Sequence, residues 1–141
     1  MKPEMFSCTT DAAVPLPLYF SRVHAGFPSP ADDFIDRPLD LNDHLIRHPA
    51  ATFFVKVQGD SMIDAGIHPG SLLVVDRSLQ ARSGNIILAV LDGDFTVKRL
   101  KKDNGMIILC PENPRYKPVV VTQGQDFEVW GVVVHVVRSF V

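Results

Sequence analysis

From Ala51 onward the chain alternates short apolar runs with turn residues. Thr52–Gln58 puts Phe53, Val55 and Val57 on one face, the period of two of a half-buried strand. Ser71–Val75 is a short apolar run bounded by Gly70 and Asp76. Ile86–Leu91 and Phe95–Leu100 flank Asp92-Gly93, a strong hairpin signal. Asn104-Gly105 repeats that signal ahead of Met106–Leu109. Pro111–Pro118 reads as a loop, and Val119–Thr122 and Phe127–Val137 as the last strands. Short strands joined by hairpin turns predict a mostly β, antiparallel architecture.

The first 38 residues follow a different rule. They hold six of the eleven prolines, at positions 3, 15, 17, 28, 30 and 38, and show no sustained apolar period. Proline fixes φ and removes a donor, so an extended arm is expected rather than a helix. Between arm and strands, Asp40–His48 carries Leu41 and Leu45 at i and i+4, opens on Asp and stops before Pro49. That pattern predicts one short helix. The expected organisation is an extended N-terminal arm, residues 1–38, and a compact β body, residues 39–141.

With 141 residues and 46% hydrophobic content, the chain suffices for one domain with a real core. Its net charge of −2 argues against strong independent binding to nucleic acid, which needs a concentrated basic face. Protein partners are expected instead. Cys8 and Cys110 form no Cys-x-x-Cys spacing, so neither a zinc site nor a disulfide framework is indicated, and two free thiols fit a reducing cytoplasm. The start, Met1–Phe6, has no apolar leader core, and no run approaches membrane-spanning length. A soluble, cytoplasmic protein without cofactor or metal is expected.

Two residues carry the candidate chemistry. Ser61 lies in Gly59-Asp60-Ser61-Met62, at the end of an apolar strand, and Lys98 lies inside Phe95–Leu100. A serine hydroxyl becomes a nucleophile only when a base takes its proton. Lysine can be that base only when neutral, and at a free pKa of about 10.4 roughly one in a thousand is neutral near pH 7.4. Burial lowers that pKa, and Lys98 sits between Val97 and Leu100, while Arg99 points to the opposite face. Gly59 permits an unusual backbone, and the N–H groups of Ser61 and Met62 could face a developing oxyanion. Taken singly, a Gly-Asp-Ser turn is more often only a turn, and a strand lysine more often snorkels to water.

The combination is more specific. Ala25-Gly26-Phe27-Pro28-Ser29-Pro30-Ala31, Phe54-Val55-Lys56 with Gly59-Asp60-Ser61-Met62-Ile63-Asp64, Asp94-Phe95-Thr96-Val97-Lys98 and Gly131-Val132-Val133-Val134-His135-Val136-Val137 together resemble the LexA-type self-cleaving serine peptidases. The resemblance runs from about Pro15 to Val137 and is nearest to the short SOS-mutagenesis members. It implies Ser61 as nucleophile, Lys98 as general base and the Ala25–Gly26 bond as the one cut. Some short members carry Cys-Gly there, whereas Ala-Gly is the usual pair of LexA-type repressors. Either way a small side chain precedes glycine. Only 25 residues precede the bond, too few and too proline-rich for a helix-turn-helix, so a repressor is not expected.

The resemblance further implies a function in SOS mutagenesis. A RecA–single-stranded DNA filament would stimulate self-cleavage. The trimmed form would act as a homodimer with a UmuC-type Y-family DNA polymerase in error-prone translesion synthesis, without sequence-specific DNA binding. Two other readings stay open: a non-cleaving protein-interaction module of the same fold, and a relative of leader peptidases, which share Ser-Lys chemistry but carry a membrane anchor.

Other polar residues have plainer readings. His44 and His48 stand at i and i+4 but lack a third ligand, so a solvated helix end is preferred to a metal pair. His24 abuts the cut and is read as an arm residue, and His68 and His135 as structural. Asp60 and Asp64 are read as turn formers. Trp130 and the Phe127–Val137 run are read as core or dimer surface.

Overall fold

The computed structural model describes residues 4–7, 13–19, 25 and 35–141. The strands are β1 Glu4–Ser7, β2 Pro15–Tyr19, β3 Ile35–Asp40, β4 Thr52–Lys56, β5 Leu72–Asp76, β6 Ile86–Leu91, β7 Asp94–Asp103, β8 Met106–Cys110, β9 Val119–Val121 and β10 Phe127–Val137. The helix α1 spans Leu41–Leu45, and single 3-10 turns cover Pro49–Ala51 and Ile63–Ala65. Every strand pair is antiparallel, so the mostly β expectation holds. The chain divides into two compact units, one of Met1–Cys8 with His48–Val141, the other of Thr9–Arg47.

In the larger unit eight strands form one sheet, in the order β1-β4-β5-β10-β6-β7-β8-β9. Strands β6 to β9 are a meander of neighbours, and β10 returns to close the gap between β5 and β6. Both expected hairpin turns are present. Asp92 and Gly93 have φ of 49° and 87°, and Asn104 and Gly105 of 48° and 80°. Paired positive φ values match the twist of the flanking strands, and Asp-Gly and Asn-Gly tolerate them.

The strand β10 carries two register shifts, between Val129 and Gly131 against β6 and between Val133 and His135 against β5. Each inserts an extra residue, Trp130 and Val134, and so bends the strand. Trp130 meets Phe95 edge to face, with ring centroids 5.2 Å apart. The Arg77 guanidinium lies 4.4 Å from the centre of the Trp130 ring and donates to its carbonyl at 2.9 Å.

The core has two parts. One gathers Val55, Val57, Met62, Ile67, Leu73, Val75, Leu88 and Val97. The other gathers Ile87, Ala89, Leu100 and Leu109. Strand β7 feeds both, because alternate residues face opposite sides: Val97 enters the first and Leu100 the second.

The smaller unit differs from the uniform arm expected for residues 1–38. Strands β2 and β3 pair there, with Pro15 opposite Asp40 and Pro17 opposite Pro38. Strand β1 pairs with β4 in the larger unit. Period-two reading missed β2 and β3, whose prolines break the pattern yet are admitted at sheet edges, and β1, whose four residues are too few to show a period. The helix is shorter than Asp40–His48, although Asp40 is its N-cap and accepts from the Asn42 N–H. Cys8, Phe20, His24 and Gly26 lie outside the described residues.

Candidate active site

The Ser61 turn begins where β4 leaves the sheet. Val57 N–H donates to the Ser71 carbonyl at 3.0 Å, and Gly70 N–H returns to the Val57 carbonyl at 2.8 Å. Gly59 then takes φ of 86°, a conformation only glycine adopts without penalty. Met62 is 2% exposed and packs in the first core cluster. It anchors the turn and leaves Ser61 half-buried beside a cleft of about 360 Å3. Gln58, Gly59, Asp60, Phe95, Thr96, Lys98 and Tyr116 complete that cleft.

Lys98 reaches Ser61 from β7. Its Nζ donates to Ser61 Oγ at 3.0 Å, to Thr96 Oγ1 at 2.9 Å and to the Val97 carbonyl at 3.1 Å. Across the strand pair it faces Ile87, which is wholly buried. Among the described residues the ion pairs are His48–Asp76 and Arg99–Glu112, so no carboxylate offsets the Lys98 charge. Burial therefore pushes its pKa below the ordinary lysine value. The opposite-face residue, Arg99, is held by partners. It pairs with Glu112 and donates to the Gly84 carbonyl at 2.6 Å.

Backbone donors are available beside the hydroxyl. Among the described residues, the N–H groups of Asp60, Ser61 and Met62 have no acceptor. Ala25 is exposed in a bend of the smaller unit.

One loop holds the turn. The carbonyl of Ser61 accepts from Glu112 N–H at 2.9 Å, and Asp64 N–H donates to the Glu112 carbonyl at 2.8 Å. The Asn113 amide donates to the Asp60 carbonyl at 2.9 Å, and the Tyr116 hydroxyl to Asp60 Oδ1 at 2.5 Å. That last bond to a carboxylate raises the pKa of Tyr116. Asp60 and Asp64 are thus anchored turn residues. Sequence reading passed over Thr96, Glu112, Asn113 and Tyr116. Thr96 had a signal, two residues before Lys98 on the same strand face; Glu112-Asn113-Pro114 offered only the look of a loop.

A second polar cluster lies apart from the Ser61 turn. His48 Nδ1 and Asp76 Oδ2 are 2.6 Å apart, and Asp76 Oδ1 accepts from the Ser78 N–H at 2.8 Å and hydroxyl at 2.6 Å. Serine and histidine both bond the carboxylate rather than each other, so the trio is no nucleophile–base relay. His48 is tied here and not to His44.

The Peptidase S24-like family model matches residues 17–134. Protein SamA of Salmonella typhimurium is 47% identical over 123 residues, 87% of this chain and 87% of the relative. Protein MucA of Escherichia coli is 41% identical over 137 residues, covering 96% of this chain and 93% of its own length. The LexA repressor of Bordetella parapertussis is 41% identical over 128 residues, 91% of this chain but 58% of the repressor.

Proposed function

Because this chain belongs to the Peptidase S24-like family and is a UmuD-type protein, we propose that it is a serine peptidase that cuts its own chain between Ala25 and Gly26. The observation that carries this reading is the 3.0 Å contact between Lys98 Nζ and Ser61 Oγ, with the lysine half-buried and without a counter-charge among the described residues. Ser61 Oγ attacks the Ala25 carbonyl carbon while neutral Lys98 takes the hydroxyl proton. The oxyanion is met by the N–H groups of Ser61 and Met62. The Ala25–Gly26 C–N bond breaks, and the Lys98 ammonium returns the proton to the Gly26 amine. Water, deprotonated by Lys98, then hydrolyses the ester and frees Ser61. Carrying the substrate on the same chain raises its effective concentration, so a weak active site suffices.

On this reading residues 1–38 are the arm that carries the cut, its β1 paired with β4 of the larger unit, and residues 39–141 are the peptidase domain. The proposed place of action is the cytoplasm, where the RecA filament forms. A RecA–single-stranded DNA filament stimulates the cut during the SOS response. Residues 26–141 then act as a homodimer with a UmuC-type Y-family polymerase in translesion synthesis. The net charge of −2 supports protein partners over direct DNA reading.

Mass spectrometry after incubation with the filament, or at alkaline pH alone, tests the cut. A fragment beginning at Gly26 is expected from the native chain and not from Ser61→Ala. An intact chain under both conditions overturns the peptidase and leaves the interaction module. A chain started at Gly26 should support damage-induced mutagenesis even with Ser61→Ala, and failure there removes the switch model.

A further inference from the structure

We infer that Asn113 is a positioning residue for the reaction, and that the loop carrying it sets the separation of nucleophile and base. The inference rests on the peptidase reading above. Ser61 is flanked by two backbone carbonyls, its own and that of Asp60. Both accept from consecutive residues of one loop, Glu112 through its N–H and Asn113 through its side-chain amide, and the Asp60 carbonyl accepts from Ile63 N–H at 3.2 Å as well. The turn is therefore gripped on either side of the nucleophile.

The same loop is tied to the strand of the base. The Glu112 carboxylate pairs with Arg99, the residue after Lys98, and Arg99 faces Cys110 in the β7–β8 ladder. A short ring results: Lys98, Arg99, Glu112, Asn113, Asp60, Ser61 and back to Lys98. Every link outside the covalent chain is a hydrogen bond or ion pair, and the last is the 3.0 Å contact that performs the chemistry. Asn113 is only 9% exposed, one of few buried polar side chains among the described residues. Both ends of its amide are used: Nδ2 donates to the Asp60 carbonyl and Oδ1 accepts from Arg115 N–H at 3.0 Å. Burying that amide is favourable only with both partners in place.

The two ends can be separated by substitution. Asn113→Asp keeps the size and the acceptor for Arg115 N–H, so the loop retains its local turn. It loses the donor to Asp60. Two rates are measured on the full chain at pH 9, well below the melting temperature of each variant. One is unassisted self-cleavage. The other is labelling by a fluorophosphonate, in which Ser61 Oγ bonds to phosphorus, fluoride leaves and Lys98 takes the proton. The probe needs the dyad but not the arm.

Both rates are expected to fall together, by about ten- to a hundredfold, the scale of a misplacement near 1 Å. Asn113→Ala should match or exceed that loss, and serves if the Asp variant does not fold. Cleavage that falls while labelling stays at the native rate would show that the loop seats substrate instead, and overturns the inference. A lowered melting temperature with both rates unchanged overturns it too. Native protein that labels but never cuts refutes only the self-cleavage; native protein that neither labels nor cuts removes the peptidase reading and this inference with it.

Discussion

Lys98 Nζ donates to the hydroxyl of Thr96 at 2.9 Å, two residues back on the same face of the same strand. A neutral lysine has two N–H groups and one lone pair. Thr96 Oγ1 and the Val97 carbonyl can accept the two N–H groups. The lone pair is then left for the proton of Ser61.

Thr96→Val keeps the branched shape and removes one acceptor. Self-cleavage should slow, by about tenfold, because the lone pair loses its orientation. The ammonium also loses a partner, so the midpoint of the pH–rate profile should move to lower pH. Thr96→Ser should restore both. An unchanged profile for Thr96→Val would remove Thr96 from the machinery.

The rate of self-cleavage should rise with pH and level off below the ordinary lysine value, since burial lowers the Lys98 pKa. Lys98→Arg should not cut, because guanidinium stays protonated. Stability follows the same shift with a definite sign. Between the folded and unfolded pKa values the unfolded chain binds more protons, so stability rises with pH through that window. Lys98→Met should therefore melt higher than the native chain near neutrality, and the gap should close toward pH 11, a bound set by the free lysine value of about 10.4. A gap that widens with pH contradicts a depressed Lys98.

Asp76 also has a depressed pKa, so stability again rises with pH through its window, but here substitution should destabilise. Burial pushes its pKa up, but the hydrogen bonds from Ser78 and His48 outweigh that, and the net shift is downward. Its contribution is complete above the unfolded carboxylate pKa, about 3.9, and is lost as pH falls through the lower folded value. Asp76→Asn should cost about 1–3 kcal/mol in urea titrations at pH 7, through lost charge-assisted bonds. The cost should shrink in acid. A cost that holds constant down to pH 2 (a value below the usual carboxylate range) would disprove the linkage.

Gly131 has no room for a side chain. A Cβ there would stand 2.6 Å from Val75 Cγ1 and 3.2 Å from the Asp76 carbonyl oxygen. Val75 is β-branched and buried, so it cannot swing aside. Gly131→Ala should destabilise by about 1–3 kcal/mol, the usual cost of overpacking. Adding Val75→Ala should cost less in that background than in the native chain. Purely additive losses would mean that the two positions do not collide.

Much of the sheet was legible because it is local. Asp92-Gly93 and Asn104-Gly105 each dictate a turn, and the turn sets the neighbouring strands. The pairs that close the sheet were not legible: β10 between β5 and β6, and β1 on β4, join residues far apart in sequence. The Ser61–Lys98 contact was reached through the resemblance, since burial of a strand lysine depends on which face the sheet covers. Asn113 was invisible for a similar reason. Its partner is a backbone carbonyl 53 residues away, and carbonyls leave no trace in composition or period.

Ala25 belongs to one compact unit and the Ser61–Lys98 pair to the other. On the proposed reading each molecule carries a single copy of its own substrate and is used up by the reaction it performs. Such a chain works as a fuse, not an amplifier. The number of severed chains would then record accumulated damage signal up to the number of chains made, and only new synthesis would reset it. Natural selection can then adjust the threshold through the sequence around Ala25 while leaving the chemistry of Ser61 and Lys98 untouched.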